Sequence, residues 1–169
     1  SDLKLPIGCD VPETIILADG DFPSHPLALE WLRQCPYVVC CDGAANTYIR
    51  SGRMPEAIVG DGDSLLPDIK ERYASLIHSE AEQETNDLSK AFRFCLSQER
   101  KRITIMGATG KREDHTIGNV SLLADYMEQA EVSMMTDYGI FVPIREDSMF
   151  ESYIGQQISV FNMNSTALS

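Results

Sequence analysis

Five short acidic clusters punctuate this chain, and each follows an apolar run. They are Asp19-Gly20-Asp21, Asp42-Gly43, Gly60-Asp61-Gly62-Asp63-Ser64, Thr85-Asn86-Asp87 and Arg112-Glu113-Asp114-His115. Carboxylates gathered at one place repel one another unless cations sit among them. The simplest cation is Mg²⁺, and the simplest reason to hold it is a polyphosphate. In the third cluster Asp61 and Asp63 stand two residues apart with glycines around them. Glycine takes positive φ and clears space, so both carboxylates can approach one ion. The plainer reading is a polar turn in which Asp63 or Ser64 caps the next helix. Asp42 precedes a helix, where it can act as N-cap and still face a ligand. Asp87 falls in the first turn of a helix with Lys90 one turn on. Helix-dipole complementarity and an ion pair would explain that pair without any ligand.

A different chemistry belongs to Gly107-Ala108-Thr109-Gly110-Lys111-Arg112-Glu113-Asp114-His115. A glycine loop between strand and helix can cradle phosphate with its backbone N–H groups and the helix N-terminus. Lys111 and Arg112 add positive charge inside the loop. It lacks the Gly-Lys-Ser/Thr ending of a P-loop and the glycine spacing of a dinucleotide site. Asp19-Gly20-Asp21 offers a rival chemistry, because phosphoaspartate hydrolases place Asp-x-Asp after the first strand. Thr or Val is usual two residues beyond, and here Pro23 stands there. His25, His78 and His115 show no metal spacing, and His115 is read as ordering its loop. Trp31 is read as core.

These side chains need a scaffold that brings them together. The apolar runs Thr14–Ala18, Tyr37–Cys41, Ala57–Val59, Leu76–His78 and Ile103–Met106 read as strands. Between them Ser24-His25-Pro26 opens a helix, Ala44–Arg50 and Pro67–Tyr73 read as short helices, and Thr85 is the expected N-cap of a helix through Ser97. A further helix is expected over about His115–Gln129. This alternation predicts a parallel sheet with helices on both faces. Its strand ends would gather the acids on one edge, where open α/β sheets bind ligands. From Val132 the helical periodicity stops. Val132–Thr136, Tyr138–Ile144, Met149–Ile154 and Gln157–Met163 all read as strands. The expected fold is therefore a Rossmann-like α/β domain over residues 1–131 and part of a smaller all-β, sandwich-like domain over residues 132–169.

The whole chain bounds these readings. It has 169 residues, 26 acidic against 14 Lys and Arg, and a net charge of −12. That balance argues against a nucleic-acid or anionic-membrane surface. An anionic substrate must arrive with its metal or meet a local basic patch. The five cysteines are odd in number and lack metal-ligand spacing, so reduced, mostly buried thiols are expected. No apolar run is long enough to span a bilayer and no signal peptide is visible, which points to the cytoplasm. The first residue is Ser and not Met, as expected of a processed or artificial N-terminus. The tail is too short to close a core of its own and leaves open strand edges. It is expected to pack on the first domain and on a second subunit, with the natural protein continuing beyond Ser169.

In order and together, the motifs resemble the thiamin pyrophosphokinase family. The matching residues are Asp42-Gly43-Ala44, Gly60-Asp61-Gly62-Asp63-Ser64, Thr85 with Asp87 and Lys90, and Arg112-Glu113-Asp114-His115 with Asn119. Gly155-x-x-Ile-Ser159 fits the tail. Gly62 stands where that family has a bulky apolar residue, and Lys111 where it has Gly. The resemblance implies transfer of the diphosphate of ATP to the hydroxyl of thiamin, with AMP leaving. It implies Asp61, Asp63 and Asp87 as Mg²⁺ ligands with Asp42 close by, and Arg112 and Lys90 on phosphate oxygens. Gly107, Gly110, Lys111, His115 and Asn119 would complete the binding set. Asp114 could orient Arg112, contact substrate or accept the hydroxyl proton. The resemblance also implies a homodimer with the thiamin site between subunits. A phosphoaspartate-type phosphatase using Asp19 and a non-catalytic nucleotide-binding module are the alternatives.

Overall fold

The apolar runs are mostly buried, because helices cover both faces of the sheet they form. The computed structural model describes residues 11–79, 86–110, 122–137, 139–144, 149–154 and 157–162. Six strands lie parallel: β1 (Thr14–Leu17), β2 (Val38–Cys41), β3 (Ala57–Val59), β4 (Ile77–His78), β5 (Arg102–Met106) and β6 (Glu131–Thr136). Three more, β7 (Gly139–Ile144), β8 (Met149–Ile154) and β9 (Gln157–Asn162), continue the same sheet as antiparallel neighbours. The order is β4-β3-β2-β1-β5-β6-β7-β8-β9. The chain reverses its direction of winding after β4, so the switch point lies between β1 and β5.

Val132–Thr136 was expected to open the separate β part. It is instead the last strand of the parallel series, with Ile103 opposite Val132 and Met106 opposite Met135. The expected sandwich is not seen: among the described residues the tail strands extend the sheet edgewise.

Strand alternation sends neighbours to opposite faces. Ile15, Leu17, Val38, Cys40 and Ile58 pack with Trp31 and Leu32 of α1 (Pro26–Gln34), Ala45 and Tyr48 of α2 (Ala44–Arg50) and Ile69 of α3 (Pro67–Arg72). Ile16, Val39, Cys41, Val59, Ile103 and Ile105 pack with Leu88, Ala91, Phe92 and Cys95 of α4 (Asp87–Ser97). His25 caps α1 through Nδ1, which accepts from Leu27 N, and Pro26 follows at the first helical position. The cap of α4 is Asn86, whose side chain accepts from Ser89 N at 2.9 Å. Thr85, the expected cap, lies outside the described residues, as does the expected helix at 115–121. Residues 122–126 are helical.

Under the sheet, Tyr126 stacks on Phe92 at 3.8 Å between ring centroids, and its hydroxyl meets Ser89 Oγ at 2.8 Å. Both partners are buried. Tyr126→Phe leaves the Ser89 hydroxyl without that partner, at a cost of about 1 kcal/mol. Urea denaturation should show a lower midpoint with an unchanged slope.

Candidate active site

Parallel strands in register end together, and here they end in the acidic clusters. Leu17 lies opposite Cys40 and Met106, and Cys41 opposite Val59. The residues that follow, Ala18-Asp19, Asp42, Gly60-Asp61 and Gly107, therefore share one edge. Asp87 joins them because α4 packs back across β1, β2 and β3 with its N-terminus at that edge.

Asp42 is 5% exposed and holds φ at 37°. Its backbone N–H donates to Val59 O at 2.9 Å. It does not cap α2, whose N-cap is Gly43. Its Oδ1 instead accepts from Ser64 N at 3.2 Å, tying β2 to the turn after β3. That turn is also held by Asn46 of α2, which donates to Ser64 O at 2.9 Å and accepts from Leu66 N at 3.0 Å. Asp61 accepts from Asp63 N at 2.9 Å, so the turn is closed by its own carboxylate. Neither Asp63 nor Ser64 caps α3, which begins after Leu66.

The carboxylates crowd one another. Burial pushes the Asp42 carboxyl up to about 6, helped by a hydrogen bond with Asp61 and by the charges of Asp61 and Asp87. Burial also raises Asp87; Lys90 opposes this, and Asp61 and Asp19 add to it. Asp61 lies below the usual carboxylate range, chiefly because the Asp63 N–H donates to it. Gly60 makes room for the group. Its φ is 140°, and a Cβ there would lie 3.0 Å from Asp87 Oδ2 and 3.3 Å from Asp42 Oδ2. Two carboxylates thus face one small space that only glycine leaves open.

A proton bound to Asp42 in the folded state but lost in the unfolded chain makes stability fall as pH rises from the ordinary carboxylate range through about 6. With metal chelated, Asp42→Asn should melt a few degrees higher than the parent at neutral pH. The difference should shrink as pH is lowered through that window.

The structure brings Asp42, Asp61 and Asp87 together, with Lys90 acting on Asp87 and Asp19 close enough to act on it too. Asp61, Asp63 and Asp87, expected as one ligand set, do not form a ready three-ligand group; among the described residues no such cluster of His, Cys, Asp or Glu exists. Asp61 bonds to Asp42 and to the Asp63 N–H. The donors are all oxygens, and a shared space stands between two of them, which fits a hard cation such as Mg²⁺. Gly107 and Gly110 lie against the loop after β1: Gly20 N–H donates to Gly107 O at 2.6 Å, Asp21 N–H to Thr109 O at 2.9 Å, and Gly110 abuts the Asp21 carboxylate. Lys111, Arg112, Asp114, His115 and Asn119 lie outside the described residues.

A cavity of about 420 Å³ opens beside the carboxylates, walled by Asp19, Gly20, Asp21 and Phe22 after β1 and by Asn46 and Thr47 of α2, with Ser64 at the turn. Sequence reading missed Asn46, Thr47 and Phe22. The only local signal was an Asn at the third position of α2, on the helix that Asp42-Gly43 opens.

Residues 28–135 match the family model "Thiamin pyrophosphokinase, catalytic domain", and residues 139–169 match "Thiamin pyrophosphokinase, substrate-binding domain". Thiamine pyrophosphokinase 1 of Oryza sativa subsp. japonica is 30% identical over 129 residues, covering 62% of this chain and 49% of the relative. Thiamin pyrophosphokinase 1 of Caenorhabditis elegans is 30% identical over 110 residues, covering 60% and 45%. The chain spans about half the length of the curated relatives it matches. The crystal structure of thiamin pyrophosphokinase from Geobacillus thermodenitrificans aligns with a TM-score of 0.64 at 24% identity, over 78% of this chain and 64% of that one. At that identity the likeness shows the fold, a mixed sheet with flanking helices.

Proposed function

The chain belongs to the thiamin pyrophosphokinase family, and from that membership we propose that the whole protein transfers the diphosphate of ATP to the hydroxyl of thiamin. The thiamin hydroxyl gives up its proton to a site carboxylate or water as its oxygen bonds to the β-phosphorus, the bond from that phosphorus to the oxygen bridging toward the α-phosphorus breaks, and AMP leaves. The observation that carries this reading is the convergence of Asp42, Asp61 and Asp87 at the carboxyl edge of the parallel strands. Such chemistry is mostly positioning and charge neutralisation.

Mg²⁺ would be held by Asp61, Asp63 and Asp87 with Asp42 beside them, and when bound it neutralises phosphate oxygens. The opening at Gly60, faced by Asp87 and Asp42, supports a cation between those two carboxylates. Lys90 and Arg112 supply positive charge to the phosphates, and the Gly107–Gly110 loop its backbone donors. Lys111, His115 and Asn119 complete the binding set by family motif. Asp114 stays assigned to one of three roles: orienting Arg112, contacting substrate or taking the hydroxyl proton. The α/β part, which β6 carries to Thr136, acts as the catalytic domain. The strands after it belong to a C-terminal β domain that a homodimer completes. The protein works in the cytoplasm; among the described residues no helix is long and apolar enough to cross a membrane.

The test is AMP release from Mg·ATP by the full-length protein with and without thiamin. AMP is expected only with thiamin. Thiamin-independent phosphate release from phosphate esters, abolished by Asp19→Asn, would support the phosphatase instead. Tight Mg·ATP binding without turnover would support a nucleotide-binding module.

A further inference from the structure

One carboxylate on the ligand-binding edge takes no part in the acidic group. Asp137 follows β6, in the turn to β7, and falls between the two regions matched by the family models. Its Oδ1 accepts from Ser24 N and from His25 N, each at 2.9 Å, and its Oδ2 accepts from Ser24 Oγ at 2.7 Å. Burial alone would raise this carboxyl, but the Ser24 and His25 donors outweigh it and leave the group below the usual range.

The partners of Asp137 close the far end of the cavity-lining loop. That loop leaves β1 at Ala18 and enters α1 at Pro26. Its near end is laced to the β5 loop by Ala18 N to Met106 O at 2.7 Å, Gly20 N to Gly107 O at 2.6 Å and Asp21 N to Thr109 O at 2.9 Å. Asp19, Gly20, Asp21 and Phe22 between the two anchors form one wall of the cavity. His25, bonded to Asp137 through its own N–H, is also the residue that caps α1.

We propose that Asp137 is a positioning residue that latches the loop over residues 18–25, so that the turn joining the parallel strands to the antiparallel tail sets the wall of the substrate cavity. The inference deepens the proposed function and rests on it where turnover is concerned; the structural part does not. A shift of the tail strands would reach the cavity wall through three hydrogen bonds that span more than a hundred residues of sequence. The side chain needs acceptor geometry more than charge. An Asn could keep both N–H acceptances on Oδ1 and donate from Nδ2 to Ser24 Oγ.

The experiment compares Asp137→Ala, Asp137→Asn and Tyr126→Phe in the full-length protein. Hydrogen exchange at the Gly20 and Asp21 amides is expected to speed up at least tenfold in Asp137→Ala. It should stay near parental rates in Asp137→Asn, and also in Tyr126→Phe, which lowers global stability without touching the loop. In the thiamin-dependent assay Asp137→Ala should raise KM for at least one substrate about tenfold, the equivalent of 1.4 kcal/mol, with kcat within twofold. Unchanged exchange at residues 20–21 in Asp137→Ala, or exchange no faster than in Tyr126→Phe, would overturn the latch. A fall in kcat with KM unchanged would overturn its role at the cavity. A parent protein without thiamin-dependent turnover would sink the proposed function, and the exchange data would still decide the latch.

Discussion

Asp61→Asn and Asp87→Asn should each lower thiamin-dependent AMP release by about 10³, because a cation that neutralises phosphate charge is worth several kcal/mol of transition-state stabilisation. Asn keeps the shape of each side chain and gives up the charge. The fold should survive both changes. Asp87 already bears the cost of partial burial beside Asp61 and Asp19, so Asp87→Asn should melt no lower than the parent and can melt higher. Loss of activity together with a retained or raised melting temperature separates a ligand role from a structural one. Near-parental turnover in both variants at saturating Mg²⁺ would end the assignment of these carboxylates.

Gly60→Ala should damage both stability and turnover. The backbone there sits at φ 140°, a conformation that side chains rarely adopt and that costs about 1–3 kcal/mol when imposed on Ala. The new methyl would also lie 3.0 Å from Asp42 Cβ and 3.0 Å from Asp87 Oδ2, so it enters the space the carboxylates share. Asp42→Asn and Gly60→Ala thus act at one point with opposite signs: the first relieves crowding and the second adds to it. Melting curves of the two single variants in chelator would show this directly. A Gly60→Ala protein as stable as the parent would mean that the carboxylates are not held against that glycine.

Much of the parallel sheet was legible because its strands are short, mostly apolar and mostly buried, and because Gly or Asp stands within two residues after all of them but β4. Ala44–Arg50 and Ala57–Val59 are found as expected. The edge on which the acids meet follows from the parallel order alone. Pairing partners were less legible. Nothing local distinguishes Val132–Thr136 from the strands after it, yet β6 pairs parallel with β5 while β7 turns back. Caps were blurred by neighbours of equal propensity: Asn86 rather than Thr85 precedes α4, and Asp42 spends its oxygen on Ser64 across the chain. The contacts of Asn46 with the turn at 64–66 and of Asp137 with Ser24 join residues far apart in sequence. Such contacts leave no periodicity to read.

Cys40 and Cys41 are adjacent in β2, yet the pleat gives them to different layers: Cys40 lies under α1 and α2, and Cys41 under α4. Both are essentially inaccessible, and burial raises both thiols. The sheet therefore acts as a partition with a chemical reporter on each side. In a brief pulse of alkylating reagent during unfolding, the ratio of label at the two neighbouring positions would tell which face of the sheet opens to solvent first, information that a single spectroscopic probe averages away.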